Sequence, residues 1–107
     1  MKIDFDSTIN DLTGKAIPLK EGETERTFTL RDVCVNALLM ETQDSAKLDG
    51  KEKVRRFRLA DKIFGTAEPI ALPAEDIVLL KDQIAKGYGA LVTARAWDLI
   101  ESPAAEK

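Results

Sequence analysis

The chain has 107 residues, 44% hydrophobic and 33% charged, with a formal net charge of −3. That length suits one domain and excludes two, and the composition is that of a chain with a core and a well-solvated surface, not of a disordered segment. The small negative charge draws the molecule neither to nucleic acid nor to an anionic membrane as a whole, so either partner requires a local patch.

Residues 2–6 alternate, with Ile3 and Phe5 on one side and Lys2, Asp4 and Asp6 on the other, which is the period of a half-buried strand. Turn residues follow at Asn10, Asp11, Thr13 and Gly14, and 16–19 reads as a return strand whose Pro18 confines it to an edge. The expectation is an N-terminal β-hairpin over 1–19. The polar stretch 20–25 reads as a mobile loop.

Thr29 has the position of an N-cap, with Asp32 in the first turn where the helix dipole favours an acid. Leu30, Val33, Cys34, Val35, Ala37 and Leu38 make a broad apolar surface for a helix over about 30–42, and Thr42, Gln43, Asp44 and Ser45 break it. Asp49 caps a second helix over about 50–64, with Val54, Phe57, Ala60 and Phe64 assigned to its inner face, Leu59 and Ile63 beside them, and Gly65 as a left-handed stop. Residues 66–72 read as extended. Pro73 suits the first position of a third helix, with Glu75 and Asp76 in its first turn and Ile77, Leu80 and Ile84 at helical spacing. Gly87, Tyr88 and Gly89 end it, and a fourth helix over about 90–101 turns Val92, Ala96, Leu99 and Ile100 inward before Pro103 stops it and 104–107 fray. The expected fold class is therefore α+β, mostly α. It is one domain over 1–107, made of the hairpin at 1–19, a bundle of about four short helices over 29–101, and a frayed tail at 102–107.

The absence of histidine removes the usual general base, the usual zinc partner of cysteine, and every Ser-His or Cys-His pair. No glycine-rich phosphate loop is present, and Gly87-x-Gly89 is too short for a dinucleotide fingerprint. The chain reads as not an enzyme, with no cofactor and no metal. Cys34, the single cysteine, reads as a buried small hydrophobe and is consistent with a reducing compartment. Asp4, Asp6 and Asp11 lack the glycine and the terminal glutamate of a calcium loop. Residues 1–6 hold neither an apolar run nor a small-residue cleavage site, and the longest apolar run, 37–40, is far short of the ~20 residues that span a bilayer. The reading is a soluble, cytoplasmic protein with no membrane partner.

The most distinctive feature is a basic stripe on the second helix. Lys51, Arg55, Arg58 and Lys62 fall at steps of four, three and four, which places them on one stripe, opposite much of the Val54/Phe57/Phe64 face and flanked by Lys53 and Arg56. Read plainly, it is a solvated face balanced by nearby acids; read functionally, it is a docking strip for an acidic protein or for phosphates. No aromatic is interleaved for base stacking, so the acidic protein partner is the better functional reading and nucleic acid the lesser one. Trp97 lies off the assigned inner face of the fourth helix. It is either a core-edge tryptophan whose N–H reaches a carbonyl or an exposed anchor for a partner.

Five strings add a resemblance: Met1-Lys2-Ile3-Asp4-Phe5, Asp11-Leu12-Thr13-Gly14, the run from Thr29 through Arg31, Asp32 and Asn36 to Leu39, Lys53-Val54-Arg55-Arg56-Phe57, and Ala96-Trp97-Asp98-Leu99-Ile100-Glu101. Together they resemble small accessory proteins encoded by tailed bacteriophages and prophages. The resemblance spans most of the chain but transfers no functional residue, because none of the strings is a catalytic or ligand motif. It implies a cytoplasmic protein of an infected or lysogenic bacterium that binds a host or phage protein. A tail assembly chaperone, which would need an exposed apolar patch, and a nucleic-acid accessory protein using the basic stripe are the alternatives.

Overall fold

A computed structural model of the chain describes residues 3–21, 24–40, 47–66 and 68–101. In order these form strands β1 (Pro18–Glu21) and β2 (Thr24–Thr27), then helices α1 (Leu30–Leu39), α2 (Gly50–Gly65), α3 (Ala74–Gly87) and α4 (Ala90–Glu101). The molecule is thus mostly helical, with four helices and a small β element among the described residues.

Helix α1 is the hub. Thr29 caps it by accepting from the Asp32 N–H, while the Asp32 carboxylate accepts from the Thr29 N–H at 3.0 Å, closing a capping box. Two further N–H groups of its first turn are satisfied by the N-terminal segment: Leu30 donates to the Ser7 carbonyl at 2.9 Å and Arg31 to the Phe5 carbonyl at 2.8 Å. Its Leu30, Val33, Cys34, Ala37 and Leu38 are buried, and α2, α3 and α4 all pack on it. Ile3, Phe5, Ile9 and Phe28 close the core from the non-helical side.

The β element is not the one expected. β1 and β2 pair antiparallel from Pro18↔Thr27 to Glu21↔Thr24, so most of the stretch read as a mobile loop at 20–25 is ladder. Residues 3–6 do not pair with 16–19. Ile3 makes an isolated antiparallel bridge to Ile70 in the segment after α2, and Ala16 bridges Asn10. The cause is local. The Asp4 carboxylate accepts from the Asp6 N–H at 2.9 Å and the Ser7 N–H reaches the Asp4 carbonyl at 3.2 Å, which turns the chain where a strand would have to continue. The alternation of Ile3 and Phe5 still reports burial, at 2% and 1% exposed.

Helix α2 differs from expectation in rotation and in its stop. Leu59, Ala60 and Ile63 are the buried residues, whereas Val54, Phe57 and Phe64 are 47%, 57% and 69% exposed. Asp61 is why. It lies on the same stripe as Val54, Phe57 and Phe64, and turning that stripe inward would bury an unpaired carboxylate. The stripe that is buried is flanked instead by Glu52 and Arg56, which pair with each other at 3.6 Å. Gly65 is the last helical residue and not a left-handed stop; the only described residue with positive φ is Gly14, at 88°. The Arg31 guanidinium takes over that role. It donates to the Ile63 carbonyl at 3.1 Å and to the Thr66 carbonyl, satisfying the end of α2 where the helix dipole favours a cation.

The last two helices follow the sequence closely. Pro73 stands one position before the expected one, as the N-cap of α3, which buries Leu80, Gln83 and Ile84, and α4 buries Ala96 and Ile100. Gly87 ends α3 where an added Cβ would lie 2.7 Å from the Met40 sulfur, so the glycine permits the close approach of that thioether. The expected break at 42–45 and the tail at 102–107 lie outside the described residues.

Candidate functional site: the outward face of helix α2

Helices α2 and α3 both pack on α1 and meet each other only lightly, which leaves a groove between them. The groove is shallow, about 460 Å³, and is lined by Lys51, Val54, Arg55, Arg58, Leu59, Lys62 and Asp76. All four residues of the sequence-predicted stripe are therefore brought together on one wall. Arg55 is the member with partners: it reaches Glu52 at 3.3 Å and Asp76, in the first turn of α3, at 3.0 Å. The hydrogen bond that Arg55 donates to Asp76 comes first in pushing the Arg55 pKa above its ordinary value, so it stays a cation at any working pH. Lys51, Arg58 and Lys62 are exposed and form no ion pair with other described residues. Helix α2 holds six of the chain's 16 basic residues and two of its 19 acidic ones, so a chain of net charge −3 carries a concentrated cationic strip.

A second exposed feature lies further around α2 from that strip, at residues whose spacing in the sequence suggests core. Val54, Phe57 and Phe64 form an exposed apolar ridge along the solvent side of α2, interrupted by the exposed Asp61. The signal that identifies them as outward is Asp61 itself, four residues after Phe57 and three before Phe64.

The other candidates are committed to structure. Trp97 is half-buried against the core; its indole N–H donates to the Lys81 carbonyl at 3.2 Å, and the Lys81 ammonium lies 4.6 Å from the ring centroid. It is a core-edge residue and lies on α4, apart from the α2 groove. Tyr88 packs against Phe28 with ring centroids 6.2 Å apart, and its hydroxyl accepts from the Asn36 amide at 3.3 Å. Cys34 is fully buried, and burial pushes its thiol pKa up, away from thiolate chemistry. Asp11 spends its carboxylate on the Thr13 and Lys15 N–H groups, and Asp6 pairs with Arg31. No group of three or more metal-ligating side chains is present among the described residues, and none of their helices is long and apolar enough to cross a membrane.

Comparison with known proteins finds no matching family model, no similar curated protein and no similar solved structure.

Proposed function

We propose that this chain is a non-enzymatic protein-binding module, phage- or prophage-encoded and cytoplasmic in its bacterial host, that docks an acidic host or phage protein on helix α2. One observation carries the reading. Lys51, Arg55, Arg58 and Lys62 line a single open groove, and three of them have no ion pair with another described residue. A solvated face balanced by its own acids would leave fewer cations free.

Nucleic acid fits the same strip less well. Asp76 lines the groove and Asp61 is exposed on the same helix, and a uniformly negative backbone would meet both with like charge. A polypeptide places opposite charges where each is needed. The tail assembly chaperone is kept as a second reading by the exposed Val54, Phe57 and Phe64, since such a protein holds an apolar surface of another chain.

The test is affinity capture from bacterial lysate on the immobilised chain and on its Arg55→Glu/Arg58→Glu variant. A partner held by the wild type should be lost by the variant and released as salt rises, with the loss mainly in the association rate. The variant should stay folded, within about 1 kcal/mol, because the Arg55 pairs are exposed. Equal retention on both surfaces rejects the proposal. Duplex DNA binding with a log–log salt slope of about −3 to −4 would assign the strip to phosphates instead.

A further inference from the structure

We infer that one face of α2 is a two-fold interface on which a second copy of this chain packs, its α2 antiparallel to the first and the axis passing beside Phe57. The inference goes beyond the docking of a partner on the basic strip and does not depend on it.

Three observations carry it. The first is an exposed face. Gly50, Lys53, Phe57, Asp61 and Phe64 are all exposed on α2, the two phenylalanines at 57% and 69%. Successive residues of a helix turn by ~100°, which gathers these five within an arc of roughly 80°. The basic strip lies roughly 100–160° around from Phe57, so a neighbour seated on this face leaves the strip free. Apolar ridges on a helix are covered by the grooves of another helix.

The second observation is spacing. The steps from Gly50 to Phe64 are three, four, four and three, the same read from either end, with Phe57 in the middle. A two-fold interface requires that where residue i meets j, j also meets i. Antiparallel helices centred on Phe57 satisfy this, because residues equally far before and after it stand level across the contact. Lys53 is then level with Asp61 of the second copy, Asp61 with its Lys53, and Phe57 with its Phe57. Phe64 is level with Gly50, where an added Cβ would meet nothing within 4 Å. The ring of each copy thus faces a position without a side chain on the other.

The third is charge complementarity. Lys53 and Asp61 form no ion pair with other described residues. The antiparallel arrangement sets each of them level with its opposite, at two places in the pair. A parallel arrangement would set Lys53 on Lys53 and Asp61 on Asp61. The face carries one cation and one anion, so two copies of it meet without net repulsion. One helix face of roughly 21 Å per copy is a small interface, so the pair is weak and fills at high concentration.

Sedimentation equilibrium of the full chain from about 1 μM to about 1 mM should show the mass rising from one chain to two and stopping there, since an isologous contact closes. Phe57→Ser/Phe64→Ser should stay at one chain throughout. Lys53→Glu and Asp61→Lys each set like charges level at two places and should weaken the dimer by about tenfold or more. Mixed in equal amounts, these two single variants should recover it, because every introduced charge then faces its opposite. That recovery also excludes misfolding as the cause of the loss. Arg55→Glu/Arg58→Glu should dimerise as the wild type does, which separates this face from the docking strip.

A wild type that remains one chain over the whole range overturns the inference, and so does a mass beyond two chains. A serine variant that still dimerises, or a mixture as weak as its single variants, overturns it too. Loss of the dimer in the Arg55→Glu/Arg58→Glu variant alone would place self-association on the strip and not on this face. A monomeric wild type that sediments with phosphatidylcholine vesicles, where the serine variant does not, would assign the face to a lipid surface instead.

Discussion

Asp32 shows how much a single side chain does in this chain. It closes the capping box of α1 and takes a bidentate pair from Arg26, at 2.6 and 2.8 Å. Partial burial pushes its carboxyl up, but the hydrogen bonds from Arg26 and Thr29 outweigh that and hold it below the ordinary 3.8. A carboxyl lowered by folding adds stability that is fully present above its unfolded value and lost as pH falls through the folded one. Asp32→Asn should therefore cost about 1 kcal/mol near neutral pH, and the gap should narrow as pH falls below the ordinary carboxylate range. Urea unfolding of both proteins at pH 6.5 and 2.5 measures the difference, and an equal gap at both pH values would contradict the assignment. Cys34, two residues on, shows the opposite economy: a fully buried thiol in the apolar core serves as volume.

At the scale of the element, α2 carries two candidate apolar stripes, and only one of them is core. The local sequence advertises both, since Val54, Phe57 and Phe64 share one side and Leu59, Ala60 and Ile63 another. Asp61 decides against the first and small Ala60 lets α1 approach the second. The consequence is a sharp contrast between two truncations. Leu59→Ala should destabilise by about 2–4 kcal/mol, because it opens a cavity where the side chain is 6% exposed. Phe57→Ser should stay within about 0.5 kcal/mol of the wild type. Thermal unfolding of the two variants checks this, and a larger loss for Phe57→Ser would mean that the helix is turned the other way.

Across the whole molecule, Arg31 joins three parts. Its backbone belongs to α1, its guanidinium pairs with Asp6 of the N-terminal segment, and it donates to the Ile63 and Thr66 carbonyls at the end of α2. Arg31→Met keeps the stem and removes all three ties, so it should cost about 2–3 kcal/mol. Amide exchange should accelerate near Thr66 and near Asp6 together, while α4 keeps its protection. Loss of protection in α4 alone would show that the arginine holds something else.

What the sequence determined by itself is the local chemistry: the Thr29 cap with Asp32, the starts of α2 and α3 at Asp49 and Pro73, the burial of Ile3, Phe5 and Cys34, and the coincidence of Lys51, Arg55, Arg58 and Lys62 on one side of a helix. Each of these depends on residues within a turn or two of one another, where spacing and capping act directly. The tertiary structure alone decided which side of α2 meets α1, that Ile3 pairs with Ile70 and not with 16–19, and that Arg31 ends α2 in place of Gly65. Those outcomes turn on partners 30 and more residues away in the chain, and on the cost of burying Asp61, which no local pattern of apolar residues expresses. The exposure of Val54, Phe57 and Phe64 follows from that one rotation.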